Sequence, residues 1–350
     1  MPMKRQGNFT LPFHLLSLAL LLLTFLLCVC AGSVAIPLRD TLQTFRELFF
    51  GLKPTGTNAV ILRSIRIPRV ICVGLVGSCL SLCGCAMQGL LRNPLADGST
   101  LGVSSGASFG AVLSLALGLR IPGLTYGTTM VFAMLFAFLS LVLILSLAYA
   151  LDRSLATNSI ILIGIIFSMF ASALISLTIS FAGERIKSIT FWTMGSLSGA
   201  TYTQALILLV SLALGSVILL SLSDELDAFA LSEENAWHIG VHVRRVKLTV
   251  LITVSMLIGV CVSIGGSIAF VGLVVPHMLR LLLGPGHRRL LPASLYGGAI
   301  FLMLADLLGR TLLSPIELPI GVVTSLFGAV AFILIFRHAR KTERGIGNVA

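Results

Sequence analysis

Residues able to do chemistry are few in this chain, and Ser104 is the first to weigh. It lies in Gly102-Val103-Ser104-Ser105-Gly106, a match to G-x-S-x-G. In soluble hydrolases that pattern exposes a serine nucleophile on a strained strand-to-helix turn, with an acid and a histidine following in the chain. Here the preceding Asn93-Pro94 ends a helix rather than a strand. His238, His242, His277 and His287 fall in or near loops, and nothing in the sequence brings one to Ser104. A second pattern covers more of the stretch: Gly98, Gly102, Gly106 and Gly110 recur every four residues, flanked by Ser99, Ala107 and Ala111. On a helix they form one smooth stripe that lets backbones approach closely inside a membrane. Ser104 is read as a packing serine, and no catalytic residue is assigned.

Cys83-Gly84-Cys85 with Met87 offers soft metal ligands. The seven cysteines, however, lie almost entirely within apolar runs, where cysteine serves as a small packing residue. Neither a metal, a cofactor nor a disulfide framework is expected.

Arginine is the more telling residue. Arg39, Arg46, Lys53, Arg63, Arg66 and Arg69 fall between the first two apolar runs, and Arg310 ends the ninth. Anchoring at the membrane interface by snorkelling is one reading. The other is a ring of guanidinium groups at two span mouths that receives carboxylates of an external protein, since arginine binds them bidentately. Asp306, four residues before Arg310, neutralises part of that charge. Only Asp306 and Glu317 come near the spans as acids, so the buried acid relay of an ion-coupled carrier finds little support. An ion-coupled secondary transporter is kept as the runner-up. The chain has no G-x-x-x-x-G-K-[ST], so ATP, if used, is hydrolysed on another subunit.

The elements that position these residues are membrane helices. The 350 residues are 57% hydrophobic and 11% charged, against about 25% charged in soluble domains. Long apolar runs, each near the roughly 20 residues that span a bilayer, predict an all-α polytopic membrane protein with residues 1–350 as a single transmembrane domain. Ten spans are expected, at about 11–35, 66–92, 99–119, 124–151, 158–182, 202–222, 246–266, 268–283, 290–312 and 318–336. Lys4 and Arg5 precede a first run too long for a signal-peptide core, which reads as a retained span. Both termini then lie in the cytoplasm with a slight inner excess of Lys and Arg. The net charge of +11 is spread through loops without a basic-aromatic stripe, which argues against nucleic acid.

Gly77-x-Cys79-x-Ser81-x-x-Gly84 recurs as Gly259-x-Cys261-x-Ser263-x-x-Gly266, and Pro94 then matches Pro276. The echo leaves open an inverted internal repeat relating spans two and seven. Between spans six and seven, a short helix is punctuated by Ser232 as N-cap, Glu233 and Glu234 in the first turn, and Gly240 as terminator. It is either a helix lying at the headgroups or a docking surface for a cytoplasmic partner.

At this point the chain resembles the permease subunits of iron-siderophore, haem and vitamin B12 ABC importers, the type II importer fold. The matching segments are RIPRVICVGLVGSCLSLCGCAMQGLLRNPLADGSTLGVSSGA at 66–107, FWTMGSLSG at 191–199, LSEENAWHIGV at 231–241, GGSIAFVGLVVPHMLRLLLG at 265–284, AD at 305–306 and ELPIGVVTSLFGA at 317–329. The resemblance implies ten helices, a homo- or heterodimer of permeases, a cytoplasmic ATPase dimer and an extracytoplasmic substrate-binding protein delivering a ferric chelate. It implies that Arg66, Arg69 and Arg310 dock that binding protein. It further implies that Ser232, Glu233, Glu234, Ala236 and Gly240 belong to the coupling helix seated in the ATPase. Thr157 and Asn158 fall at the inner gate, and spans five and ten line the path. Two departures stand out: Gly98 replaces a frequent proline, and Gly286 stands before His287-Arg288 where relatives often place an acid.

Overall fold

Apolar segments in lipid must satisfy their own backbone polar groups, which leaves helices or closed barrels. This chain takes the helical solution: no strand occurs among the described residues. The structure, a computed structural model, describes residues 11–32, 36–50, 56–122, 127–153 and 156–347. Lys4, Arg5, Lys53 and the tail of the first expected span at 33–35 lie outside the described residues.

In chain order the helices are α1 (Leu11–Cys30), α2 (Leu38–Phe49), α3 (Thr57–Ile61), α4 (Ile67–Leu90), α5 (Val103–Leu117), α6 (Thr128–Leu151), α7 (Thr157–Ser180) and α8 (Ile186–Thr193). They continue with α9 (Tyr202–Ser221), α10 (Ser223–Leu231), α11 (Glu233–His238), α12 (Val243–Gly265), α13 (Val271–Leu283), α14 (His287–Thr311) and α15 (Ile320–Gly347). A π-helical turn over Leu62–Arg66 joins α3 to α4. Among the described residues, seven helices are long and apolar enough to cross a bilayer. The third and eighth expected spans fall on shorter apolar helices, Val103–Leu117 and Val271–Leu283, and the tenth falls on the apolar stretch Ile320–Ile333 that opens α15.

The helix α4 is the axis. Of the spanning window that contains it, 83% lies inside the protein, against 22% for α7 and for α9. It packs against α14, α13, α12 and α9. Close packing follows from its glycines: a Cβ on Gly77 would collide with the Gly298 carbonyl on α14, and one on Gly84 with the Gly272 carbonyl on α13. Such contacts join helices where no hydrophobic effect separates protein from lipid.

The four-glycine stripe does not exist as one helical face. Gly98 lies in a 3-10 turn, Gly102 is the left-handed N-cap of α5 at φ 78°, and only Gly106 and Gly110 lie within α5. The glycines also serve different neighbours. Gly98 meets Ile258 of α12, Gly102 meets the Gly164 carbonyl of α7, and Gly106 and Gly110 meet Ser140 and Phe132 of α6. The period of four arises because a turn, a cap and a helix follow one another, each needing a small residue.

The motif echo also loses positional equivalence. Gly84 sits inside α4, whereas Gly266 ends α12 at φ 71°. Pro94 lies in a loop, whereas Pro276 lies within α13. The two copies share a contact instead, because α4 and α12 pack directly on each other and the Cys83 thiol donates to the Val254 carbonyl at 3.8 Å.

Three separated segments meet at a backbone knot. A Cβ on Gly195 would lie 2.5 Å from the Ser267 carbonyl, and one on Gly321 at 2.5 Å from the same oxygen. Gly195 and Gly266 have positive φ, a conformation that glycine adopts without penalty. Ser196 N donates to the Gly265 carbonyl at 2.9 Å.

Candidate docking and coupling sites

One end of the bundle is organised by buried arginines. The last carbonyls of α1 have no partner within the helix, and two guanidinium groups satisfy them. Arg66 Nη1 donates to Val29 and Cys30 carbonyls, both at 3.0 Å. Arg310 donates to Ala31 at 3.1 Å and Cys28 at 3.0 Å. Cations at a helix C-terminus also complement its dipole. Asp306 then bridges two arginines, meeting Arg69 Nη2 through Oδ1 at 2.9 Å and Arg310 Nε through Oδ2 at 2.9 Å. Glu317 closes the network on Arg69 Nη1 at 2.8 Å.

Arg66, Arg69 and Arg310 are only 6%, 7% and 3% exposed. An open ring of these three, receiving another protein's acids, does not match this arrangement. Cations removed from water need internal partners, and acids and carbonyls of this chain supply them. Arg39, Arg46 and Arg63 are the exposed arginines of the segment preceding α4.

At the opposite end lies α11. Ser232 caps it, its Oγ accepting from Asn235 N at 2.9 Å. Gly240 follows at φ 90°, and its N–H bonds back to the Trp237 carbonyl at 3.0 Å. Ala236 is fully buried and seats the helix, while Trp237 and Ile239 are 65% and 69% exposed. Glu234 is exposed as well. This leaves an apolar pair and an acid facing outward.

Glu233 has a different role. Its Oε1 accepts from Thr157 Oγ1 at 2.8 Å and its Oε2 accepts from Lys247 Nζ at 2.8 Å. Burial pushes the Glu233 carboxyl up, but the hydrogen bonds from Lys247 and Thr157 outweigh it and hold the group below the usual carboxylate range. Thr157 is the first residue of α7. A single carboxylate therefore ties α7, α11 and α12 together. Asn158, adjacent in sequence, is exposed instead.

Sequence reasoning missed Lys247, whose side chain is 1% exposed, because a lysine just inside an apolar run reads as an interfacial anchor. It also missed α10 as a source of acids. His287 N and Nδ1 both contact Asp227 Oδ1, at 2.8 and 2.6 Å, and Arg288 pairs with Asp224 at 2.9 Å. His287, which follows Gly286, thus meets a carboxylate from sixty residues upstream. Asp224 and Asp227, one helical turn apart, were the only available signal.

Ser104 borders a cavity of about 30 Å3 with Asp97, Cys83, Ile258 and Phe270, and no histidine occurs among its described lining residues. The histidine that pairs with the serine of a nucleophile elbow is thus not among them. Among the described residues, no group of three or more His, Cys, Asp or Glu could hold a metal ion.

The fold is an all-helical membrane bundle with a glycine-jointed axial helix, a charged brace at one end and a presented short helix at the other. The chain belongs to the FecCD transport family, whose profile matches residues 20–338. It is 40% identical over 338 residues to the "Uncharacterized ABC transporter permease protein YvrB" of Bacillus subtilis (strain 168), covering 95% of each chain. It is 36% identical over 341 residues to the hemin transport system permease protein HmuU of Yersinia pestis, covering 95% of this chain and 98% of that one. Its fold matches a solved metal-chelate type ABC transporter in an inward-facing conformation, with a TM-score of 0.81 and 31% identity over 93% of this chain and 99% of that one. The protein is accordingly a multi-pass permease subunit of an ABC importer in the inner membrane, non-catalytic, with ATP hydrolysis residing in a separate subunit. This sets aside the ion-coupled carrier.

Proposed function

We propose that the protein moves a ferric chelate, a siderophore above all, inward across the cytoplasmic membrane as one of two permeases over an ATPase dimer. The observation that carries the reading is the Glu233 carboxylate shared by Thr157 and Lys247. It links a helix that presents Trp237 and Ile239 outward to the first residue of α7. In this reading α11 seats in the ATPase, both termini are cytoplasmic, and movement of α11 reaches the inner gate at Thr157 through one side chain. Asn158 faces the path beside it.

The exposed face of α7 supports a neutral, weakly holding path. Ser172, Ser176 and Ser180 recur every four residues and are exposed. Ser176 and Ser180 donate back to the carbonyls of Ser172 and Ser176, each at 3.0 Å. Hydroxyls engaged this way retain little donor capacity for a ligand, so a separate extracytoplasmic binding protein supplies the affinity. Its acids meet the end braced by Arg66, Arg69 and Arg310, with Arg63, Arg39 and Arg46 as the cations open to them.

The test is uptake into proteoliposomes holding this chain, its ATPase and its binding protein, across ferric siderophores, haem and cobalamin. ATP-dependent uptake of a ferric siderophore is expected. Uptake confined to cobalamin would overturn the chelate assignment.

A further inference from the structure

Beside the coupling segment, an open groove of about 750 Å3 runs between the end of α6 and the start of α12. Arg153, Arg244 and Arg245 line it together with Trp237, and Leu248 and Ile252 continue the wall along α12. All three arginines are exposed, and none enters an ion pair among the described residues. Arg69, Arg288, Arg310 and Lys247, by contrast, are each salt-bridged. The Arg244 guanidinium is oriented by the Tyr149 ring, 5.1 Å from its centroid. The start of α12 has no side-chain cap, so its first N–H groups and dipole add positive potential at the same place.

The groove has two chemistries in a fixed order. Arg244 to Ile252 spans eight residues of α12, about 12 Å of helical rise. Cations and the interfacial aromatics Trp237 and Tyr149 stand at one end, and an aliphatic wall stands at the other. Ile252 is 43% and Met256 63% exposed on the outer surface of a membrane helix, so the apolar end opens to lipid. A soluble acidic partner would match the cations but leave the aliphatic wall unused. A ligand with an anionic head and a hydrocarbon tail uses both.

We propose that this groove binds an anionic phospholipid, its phosphate among Arg153, Arg244 and Arg245 and an acyl chain along Leu248 and Ile252. The site depends on the membrane placement of the chain and not on the identity of the transported chelate. Because Trp237 of α11 forms one wall, the bound lipid touches the coupling helix.

The experiment titrates the full chain in detergent with phosphatidylglycerol or phosphatidylcholine of identical acyl chains, counting bound lipid by native mass spectrometry. Wild-type protein is expected to prefer phosphatidylglycerol. Arg244→Gln with Arg245→Gln should lower its retention about twenty-fivefold, roughly fivefold per arginine. Arg244→Lys with Arg245→Lys should keep most of it, and Arg63→Gln with Arg46→Gln, at the other end, should change nothing. Equal retention of the two lipids by wild-type protein would overturn the proposal, even if the glutamine variant failed to fold. So would unchanged retention in a folded glutamine variant. Displacement of the lipid by inorganic phosphate would reduce the site to a plain anion site, and loss of ATPase binding with lipid retention intact would make it a protein contact; either result overturns the lipid assignment.

Discussion

Thr157 Oγ1 donates to Glu233 Oε1 at 2.8 Å across 76 residues of sequence. The first residue of α7 and the first residue of α11 are thereby held by one hydrogen bond to a carboxylate whose other oxygen is anchored by the buried Lys247. A hydrogen bond to a charged group contributes about 1.5–3 kcal/mol, enough to transmit a shift of α11 without a large interface.

Removing that bond should uncouple the protein. Thr157→Val keeps the shape of the side chain and removes its donor. Coupled uptake is expected to fall about tenfold or more, while ATP hydrolysis by the assembled complex continues. Uptake at the wild-type ratio of chelate to ATP would show that Glu233 does not carry the coupling.

The same site predicts a pH dependence. The folded Glu233 carboxyl titrates below its ordinary value, so its contribution is fully present above about pH 4.3. It is lost as pH falls through the lower folded value. Hydrogen exchange at the start of α7 should rise in that acid window in wild-type protein. Glu233→Gln should abolish the acid-dependent step, and a step unchanged in that variant would assign it to another group.

The arginine brace yields a contrast between folding and docking. Asp306→Asn leaves Arg69 and Arg310 short of their shared counter-ion and is expected to destabilise the protein by about 3–5 kcal/mol, read as a lower thermal midpoint in detergent. Arg66→Glu with Arg69→Glu should fail by the same route. Arg63→Glu, on an exposed residue, should leave the midpoint unchanged and weaken only binding-protein association. A normal midpoint for the Asp306 variant would remove the structural role.

Glycine and serine separate packing from chemistry. Gly84→Leu drives a side chain into the Gly272 backbone, which cannot retreat without parting α4 from α13, and assembly should fail. Ser104→Ala should retain uptake within about twofold, because surface-like substitutions outside special contacts change stability by about 0.5 kcal/mol or less. Loss of uptake in a folded Ser104→Ala protein would restore a chemical role to that serine.

Composition and apolar run length, by themselves, determined that the chain is a multi-span helical membrane protein. These are local properties, since lipid admits few backbone solutions. The cap at Ser232 and the terminator at Gly240 were legible for the same reason, as both act within one turn of helix. The glycine stripe was misread because a period of four does not distinguish a helix from a turn, a cap and a helix in succession. Only tertiary structure decided what the charges do. Asp306 reaching Arg69, Asp227 reaching His287, and Glu233 joining Thr157 to Lys247 all depend on separate helices being packed side by side. Charge pairing acts over a few ångströms in space, so spacing along the chain encodes only the pair within one helix, Asp306 with Arg310.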